Sequence, residues 1–521
     1  MRNLLKSSML ISFLTFLSRI FGLIRDMVIA SYLGAAAQAD IFILATKIPN
    51  FFRRIFAEGA FSQAFIPIFT EYQNKDKASS KEFLAKTSGT LGAIITITTL
   101  IGIIFSPILI AIFGTGWFID WLNNSHNAYK FNEASLLLKI TFPYLWFITF
   151  VALSGAILNT IGKFSVMAFT PVLYNIAIIL SGILLVKYFH DPAIILSIGV
   201  SLGGLLQFLF QIPFLKKAGL LVKPKLGFKD KDVRRIGKLI LPSLFSISIN
   251  QINLLINSLI ATFLITGSIS WLYYSERLFN FPLGIFGVAI STVILPSLSK
   301  EALKSNHKIK NSDSFQKIME YGITLILLIG LPSSIALIVL RKSLIITIFM
   351  HGKFNSYDAI NSAKLLLIFS IGLIFYMLTK VLANGFYSIQ NTKIPAKIAI
   401  VAIIANLCFD PLALFFGVLG LAIASILSAF INCLFLYIAL SKSKIYNFSK
   451  EILINSLKFL IGSLIMGFIL YLLNPDLEKI IHIHTISKIL IIIKLIIIGT
   501  ISYFMSLIIL KVNLKKIFFK K

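Results

Sequence analysis

Apolar residues run along this chain in stretches of about 20 or more, which is the length a helix needs to cross the hydrocarbon core of a bilayer. Neither the two-residue alternation of a half-buried strand nor the one-sided stripe of a soluble helix dominates. Polar interruptions divide the pattern into fourteen predicted spans: 8–32, 41–70, 84–113, 134–159, 164–186, 192–215, 239–264, 268–299, 318–340, 365–388, 398–416, 418–440, 451–473 and 489–510. The expected fold is an all-α polytopic membrane protein. The first span is too long, and carries too many internal charges, for a cleaved signal peptide.

Three short matches at nearly constant offset reveal an internal repeat. "ATKIPN" (45–50) pairs with "SERLFN" (275–280), "FIPIF" (65–69) with "ILPSL" (294–298), and "GAILNTIGK" (155–163) with "GFYSIQNTK" (385–393). An even number of spans separates the equivalents, so the halves share one orientation, as in transporters built from parallel repeats. The predicted organisation is a six-helix lobe over 1–216, a basic linker over 217–238, a second six-helix lobe over 239–441, and a helix pair with a basic tail over 442–521.

Composition agrees with this class: of 521 residues, 57% are hydrophobic and only 13% charged, which leaves no sizeable soluble domain. The net charge of +29 invites a nucleic-acid reading. The basic residues, however, lie mostly in loops on the N-terminal side of the spans, nine of them between 216 and 238. Positive-inside bias then places both termini in the cytoplasm, and the linker is expected to touch anionic headgroups. No basic domain with interleaved aromatics supports nucleic-acid binding.

Catalytic and metal motifs are lacking. The chain has no P-loop or HExxH helix, so it is expected not to be an enzyme and not to hydrolyse ATP itself. Cys408 and Cys433 fall in different spans, which argues against a disulfide framework. The "HIH" at 482–484 lacks the further ligands a metal site needs. No cofactor is expected, and dependence on the membrane potential or an ion stays open.

The informative residues are charges inside apolar spans. Arg19, Arg25 and Asp26 interrupt the first span, Lys47, Arg53, Arg54 and Glu58 the second, and Glu276 with Arg277 the eighth. A charge at the bilayer centre costs roughly 3 to 10 kcal/mol, so these groups should face a watery cavity. On an ideal helix Lys47, Asn50, Arg54 and Glu58 form one stripe, with Arg53 turned away by about 100°. Pro49 can shift that phase. Internal pairs such as Arg54 with Glu58 or Arg19 with Asp26 cannot neutralise everything, since Arg19, Arg25, Lys47, Arg53, Arg54 and Arg277 face only Asp26, Asp40, Glu58 and Glu276. The surplus suits an anion, and arginine forks match phosphate or carboxylate. From the residues alone, the chain is a transporter of an anionic, amphiphilic substrate.

The segment "SRIFGLIRDMVIASYLGAAAQADIFILATKIPNFFRRIFAEGAFSQAFIPIFTEY" (18–72) closely resembles the N-terminal signature of the MurJ (MviN) family of lipid II flippases, in the multidrug/oligosaccharidyl-lipid/polysaccharide exporter superfamily. The likeness continues through "LLKITFPYL", "GAILN", "GSISWLYYSERL", "GVAISTVILPSLSK" and "KVLANGFYS". It implies a fourteen-helix flippase of the bacterial inner membrane. Such a protein moves the undecaprenyl-pyrophosphate-linked peptidoglycan precursor, lipid II, from the cytoplasmic to the periplasmic leaflet. Besides lipid II, the implied partners are membrane phospholipids and other peptidoglycan-synthesis proteins. By motif the resemblance points to Arg19, Arg25, Arg53 and Arg277 as substrate-binding. Asp40 and Lys47 match further family positions, and the last two helices a groove for the lipid tail. Where the ideal stripe selects Arg54, the resemblance selects Arg53. The rival readings are another exporter of the superfamily, for lipid-linked oligosaccharides or drugs, and a non-transporting cell-wall scaffold.

Overall fold

The computed structural model describes residues 2–56, 60–74, 76–189, 191–304, 312–514 and 517, with backbone only for 2–9, 55, 56, 60, 62, 63, 240–254, 477, 478 and 482. Its described residues are helical with no strand. Ten helical stretches are long and apolar enough to cross a membrane. The other four expected spans fall on helices that are short or carry polar interruptions, and the expected span over 41–70 is described as two helices on either side of residues 57–59.

Two compact units emerge, Met1–Ser270 with His351–Phe354, and Trp271–Met350 with Asn355–Lys521. The first contains α1 (Arg2–Leu33), α2 (Ala37–Phe56), α3 (Ala60–Gln73), α4 (Lys77–Ile104), α5 (Ser106–Phe113), α6 (Thr115–Leu122), α7 (Tyr129–Thr141), α8 (Pro143–Thr160), α9 (Phe164–Leu180), α10 (Pro192–Lys217) and α11 (Lys231–Ala261). The second holds most of α12 (Ser268–Pro282), then α13 (Val288–Lys304), α14 (Asp313–Phe349), α15 (Ser356–Tyr387), α16 (Lys393–Phe409), α17 (Leu412–Phe416), α18 (Val418–Lys442), α19 (Lys450–Leu473), α20 (Leu477–His482) and α21 (Thr485–Ile509). One succession of packed neighbours occurs in each unit. In the first, α3 meets α4 and α8, and α10 meets α8 and α9; in the second, α13 meets α14 and α15, and α18 meets α15 and α16.

Aromatic periodicity builds the core of the first unit. Phe61, Phe65 and Phe69 recur every four residues, so they share one face of α3. Their rings stack at 5.4 and 5.3 Å, and Phe83 of α4 closes the ladder. Beneath it the basic linker is docked rather than free. Lys225 N donates to Ala85 O at 2.8 Å and Gly227 N to Thr90 Oγ1 at 3.0 Å. This approach needs Gly89, where a Cβ would lie 2.1 Å from the Lys225 carbonyl oxygen. Asp230 pairs with Lys86, Tyr72 donates to Asp232, and Arg235 forks onto Glu71. The first turns of α11 are thereby tied to α3 and α4.

A second backbone clasp closes the far end of α1. Gly34 (φ +65°) ends that helix, and Gly352 (φ +58°) lies over it, with Lys353 N donating to Ser31 O at 2.8 Å. A Cβ at Gly352 would stand 2.3 Å from Ser31 O, so only glycine fits both the backbone angle and the approach.

In the second unit the C-terminal helix pair packs on α14. Leu328 and Leu340 of α14 share a core with Phe459, Met466 and Leu470 of α19 and Leu495, Tyr503 and Leu507 of α21. Pro332 interrupts α14 and has no N–H to offer the carbonyl four residues back. Tyr503 supplies the missing donor to Leu328 O at 2.8 Å.

Candidate functional site

On α1, Arg25 is held in a network that the sequence pattern did not foresee. Its Nε and Nη2 donate to Asp26 Oδ1 at 3.0 and 2.6 Å, and its Nη1 to Asn175 Oδ1 on α9 at 3.0 Å. The guanidinium also lies 5.8 Å from the Tyr174 ring centroid. Asn175 donates in turn to Ser18 O, so one amide fastens α9 to α1 and orients the arginine. Asp26 is buried, and its charge is tolerable there because the adjacent arginine compensates it. Arg19 is half-buried, two turns nearer the N-terminus on the same helix.

On α2, Pro49 leaves Ala45 O without its helical partner, and Thr141 Oγ1 of α7 donates to it at 3.1 Å. This exchange fixes how the charged end of α2 is presented. Arg53 Nε donates to Asn50 Oδ1 at 3.1 Å, an ordinary i, i+3 contact along one face of the helix. Arg53 and Arg54 are both half-buried. Lys47 reaches α11, its Nζ donating to Ser258 Oγ at 2.9 Å. Glu58 lies outside the described residues.

At the opposite end of α2, Asp40 is buried and accepts from Gly267 N at 2.6 Å, Ser270 N at 2.8 Å and Ser270 Oγ at 2.5 Å. The carboxylate thus serves the open amides at the start of α12 as an N-cap residue would, but from another helix. Its role in the first unit is structural holding, some 15 Å along α2 from Asn50 by helical rise.

In the second unit, Arg277 is exposed inside an apolar stretch long enough to span a membrane. Its Nη2 donates to Tyr273 Oη at 2.9 Å, and its guanidinium stacks 4.6 Å from that ring. Ser275, buried behind it, donates to Ser362 O of α15 and fixes the roll of α12. Glu276 is half-buried, and Asn280 is exposed one turn on from Arg277. A π-helical segment, Leu283–Gly287, follows within one turn. Such bulges favour functional positions in helices.

The predicted cations therefore divide as Arg19, Arg25, Lys47, Arg53 and Arg54 in the first unit and Arg277 in the second. Asn175, Tyr174, Tyr273 and Ser258, which position them, escape a search for charges. Asn175 alone left a signal, as a lone amide within the apolar run "VLYNIAIIL". Chemically, half-buried guanidiniums held by amide and aromatic neighbours are suited to bind oxyanions bidentately.

A family model described as lipid II flippase MurJ matches residues 29–506. A probable lipid II flippase MurJ of Haemophilus influenzae is 49% identical over 96% of this chain and 98% of its own length. The corresponding Vibrio cholerae protein is 51% identical over 86% and 85%. Among solved structures, a lipid II flippase MurJ in an inward closed conformation superposes with TM-score 0.79 at 30% identity, over 96% of this chain and 98% of that one. An inward-facing multidrug exporter of the MATE family shares the fold at TM-score 0.64 and 15% identity, over 82% and 95%.

Proposed function

Because the chain belongs to the MurJ family of lipid II flippases, we propose that its charged helices serve one task, carrying the pyrophosphate head of lipid II across the inner membrane by alternating access. The observation that carries this reading is an exposed guanidinium, Arg277, inside an apolar span. Exposure to lipid there would be prohibitive, whereas exposure to an aqueous path is not. Arg25, Arg53 and Arg277 bind the pyrophosphate on the cytoplasmic side, and Arg19, Lys47 and Arg54 add positive potential. Bound phosphate relieves the repulsion among these cations, and that differential affinity shifts the protein toward its outward-open state. The lipid tail stays outside the cavity, along the α14–α19–α21 face. Both termini lie in the cytoplasm, and the membrane potential can assist reset, being worth about 2.3 kcal/mol per charge per 100 mV. A drug exporter of the same fold would need acids to dominate these positions, and here cations do.

The test is complementation in a bacterium depleted of its own flippase, reading how much lipid II becomes accessible on the outer leaflet. The native chain should restore accessibility and Arg277→Ala should not, with both inserted at equal levels. Equal restoration by both would refute the arginine mechanism.

A further inference from the structure

Lys130 is a buried cation that takes no part in the mechanism above. It stands in the first turn of α7, is only 3% exposed, and donates from Nζ to Thr266 Oγ1 at 2.6 Å. Thr266 belongs to the turn between α11 and α12, the turn whose Gly267 and Ser270 amides Asp40 accepts. A third element holds it too. Gly116 N of α6 donates to Thr262 Oγ1 at 3.0 Å, and a Cβ at Gly116 would lie 2.5 Å from Thr262 O. Three helices, α2, α6 and α7, thus form a socket for one turn, all within the first unit.

The chemistry of the socket is unusual for a permanent joint. Burying an ammonium carries a desolvation cost that its single hydrogen bond offsets only in part. Hydrogen bonds differ from apolar packing in one respect: on opening, water replaces each of them, so the net loss per bond is small. The bonds that Asp40, Lys130 and Gly116 N–H make to the turn can therefore open and re-form at small net cost. Lys130 also attracts Asp40 without touching it, a small effect beside the cost of burying both.

We propose that Lys130 is a positioning residue for transport, which holds the α11–α12 turn through Thr266 and lets it go once in each cycle. This rests on the alternating-access reading above. The probe is Ser268→Cys, a fully buried position on the held turn, in a background where Cys408 and Cys433 are replaced. A membrane-impermeant maleimide should label it slowly in the parent and about tenfold faster in Lys130→Met, as loss of a charged hydrogen bond implies. Lys130→Arg should restore slow labelling. Thr266→Val should match Lys130→Met, and the double variant should label no faster than either, since both remove one bond. Lipid II exposure should fall in Lys130→Met and recover in Lys130→Arg. If Lys130→Met does not fold, the near-isosteric Thr266→Val carries the comparison. Unchanged labelling in Lys130→Met or Thr266→Val, or additive effects in the double variant, would overturn the proposal. Labelling reads the socket without substrate, so failure of the flippase mechanism would show in lipid II exposure alone.

Discussion

Tyr503 donates its hydroxyl to the carbonyl oxygen of Leu328, the group that Pro332 leaves without an N–H partner in α14. A helix broken by proline and a helix from the C-terminal pair are thus matched atom to atom. Proline creates the demand and tyrosine meets it, so α21 is registered along α14 by a polar contact inside an otherwise apolar core.

Tyr503→Phe keeps the ring and removes the donor. A buried carbonyl left unsatisfied in an apolar setting costs about 1–2 kcal/mol. The variant should insert normally and melt a few degrees lower in detergent. An unchanged melting temperature would mean that Leu328 O finds another donor.

Asn175→Leu removes the amide that both orients Arg25 and binds Ser18 O. Arg25 keeps Asp26 but loses its fixed direction, so lipid II exposure should fall at least about tenfold, as expected for a displaced binding group. Asn175→Gln should recover part of it. Comparable transport in all three proteins would remove Arg25 from the substrate path.

Gly89→Ala should lift the linker from α4. Alanine favours the helix by about 1 kcal/mol, but its Cβ would meet the Lys225 carbonyl at 2.1 Å, and backbone cannot rotate away as a side chain can. Trypsin should then cut at Lys225 and Lys229 much faster than in the parent. Equal cutting rates would show that the docked linker opens freely already.

Asp230 predicts a pH dependence for the same linker. Burial alone would raise its pKa, but Lys86 and the amides of Val233 and Asp232 outweigh burial and hold it below the usual carboxylate range. A carboxylate with a depressed folded pKa contributes stability that is complete above its unfolded value, about 3.9, and is lost as pH falls through the folded one. Amide exchange at Lys225 and Gly227, corrected for intrinsic rates, should be constant between about pH 5 and 8 and accelerate below about pH 4. In Lys86→Met the acceleration should begin at higher pH.

Much of this could be read before any coordinates, and the reason differs by residue. Long apolar runs have one solution in a bilayer, so the helical class follows from length alone. Arg19, Arg25, Arg53 and Arg277 stand out because charge inside such runs is costly. Ideal geometry favours Arg54 and the family resemblance Arg53; both are half-buried in the structure, where Thr141 replaces the donor that Pro49 removes from α2. Lys130 stands at a predicted loop edge, where a lysine looks solvated, yet it is buried and bonded to Thr266, 136 residues away. The linker's basic composition points to anionic headgroups, while its docking on α4 depends on a glycine in another helix, Gly89. α11, the first helix of the second repeat by sequence, groups with the first unit because contacts at both its ends, through Asp230, Arg235 and Ser258, outweigh its place in the chain.

The clasp at Gly34 and Gly352 is written in backbone atoms, and the exposed side chain of Lys353 takes no part in the bond its own amide makes to Ser31. Position 353 can therefore drift in identity, or carry a dye, while its neighbour must stay glycine. A fluorophore placed there would sit beside the clasp without taking part in the bond that closes it.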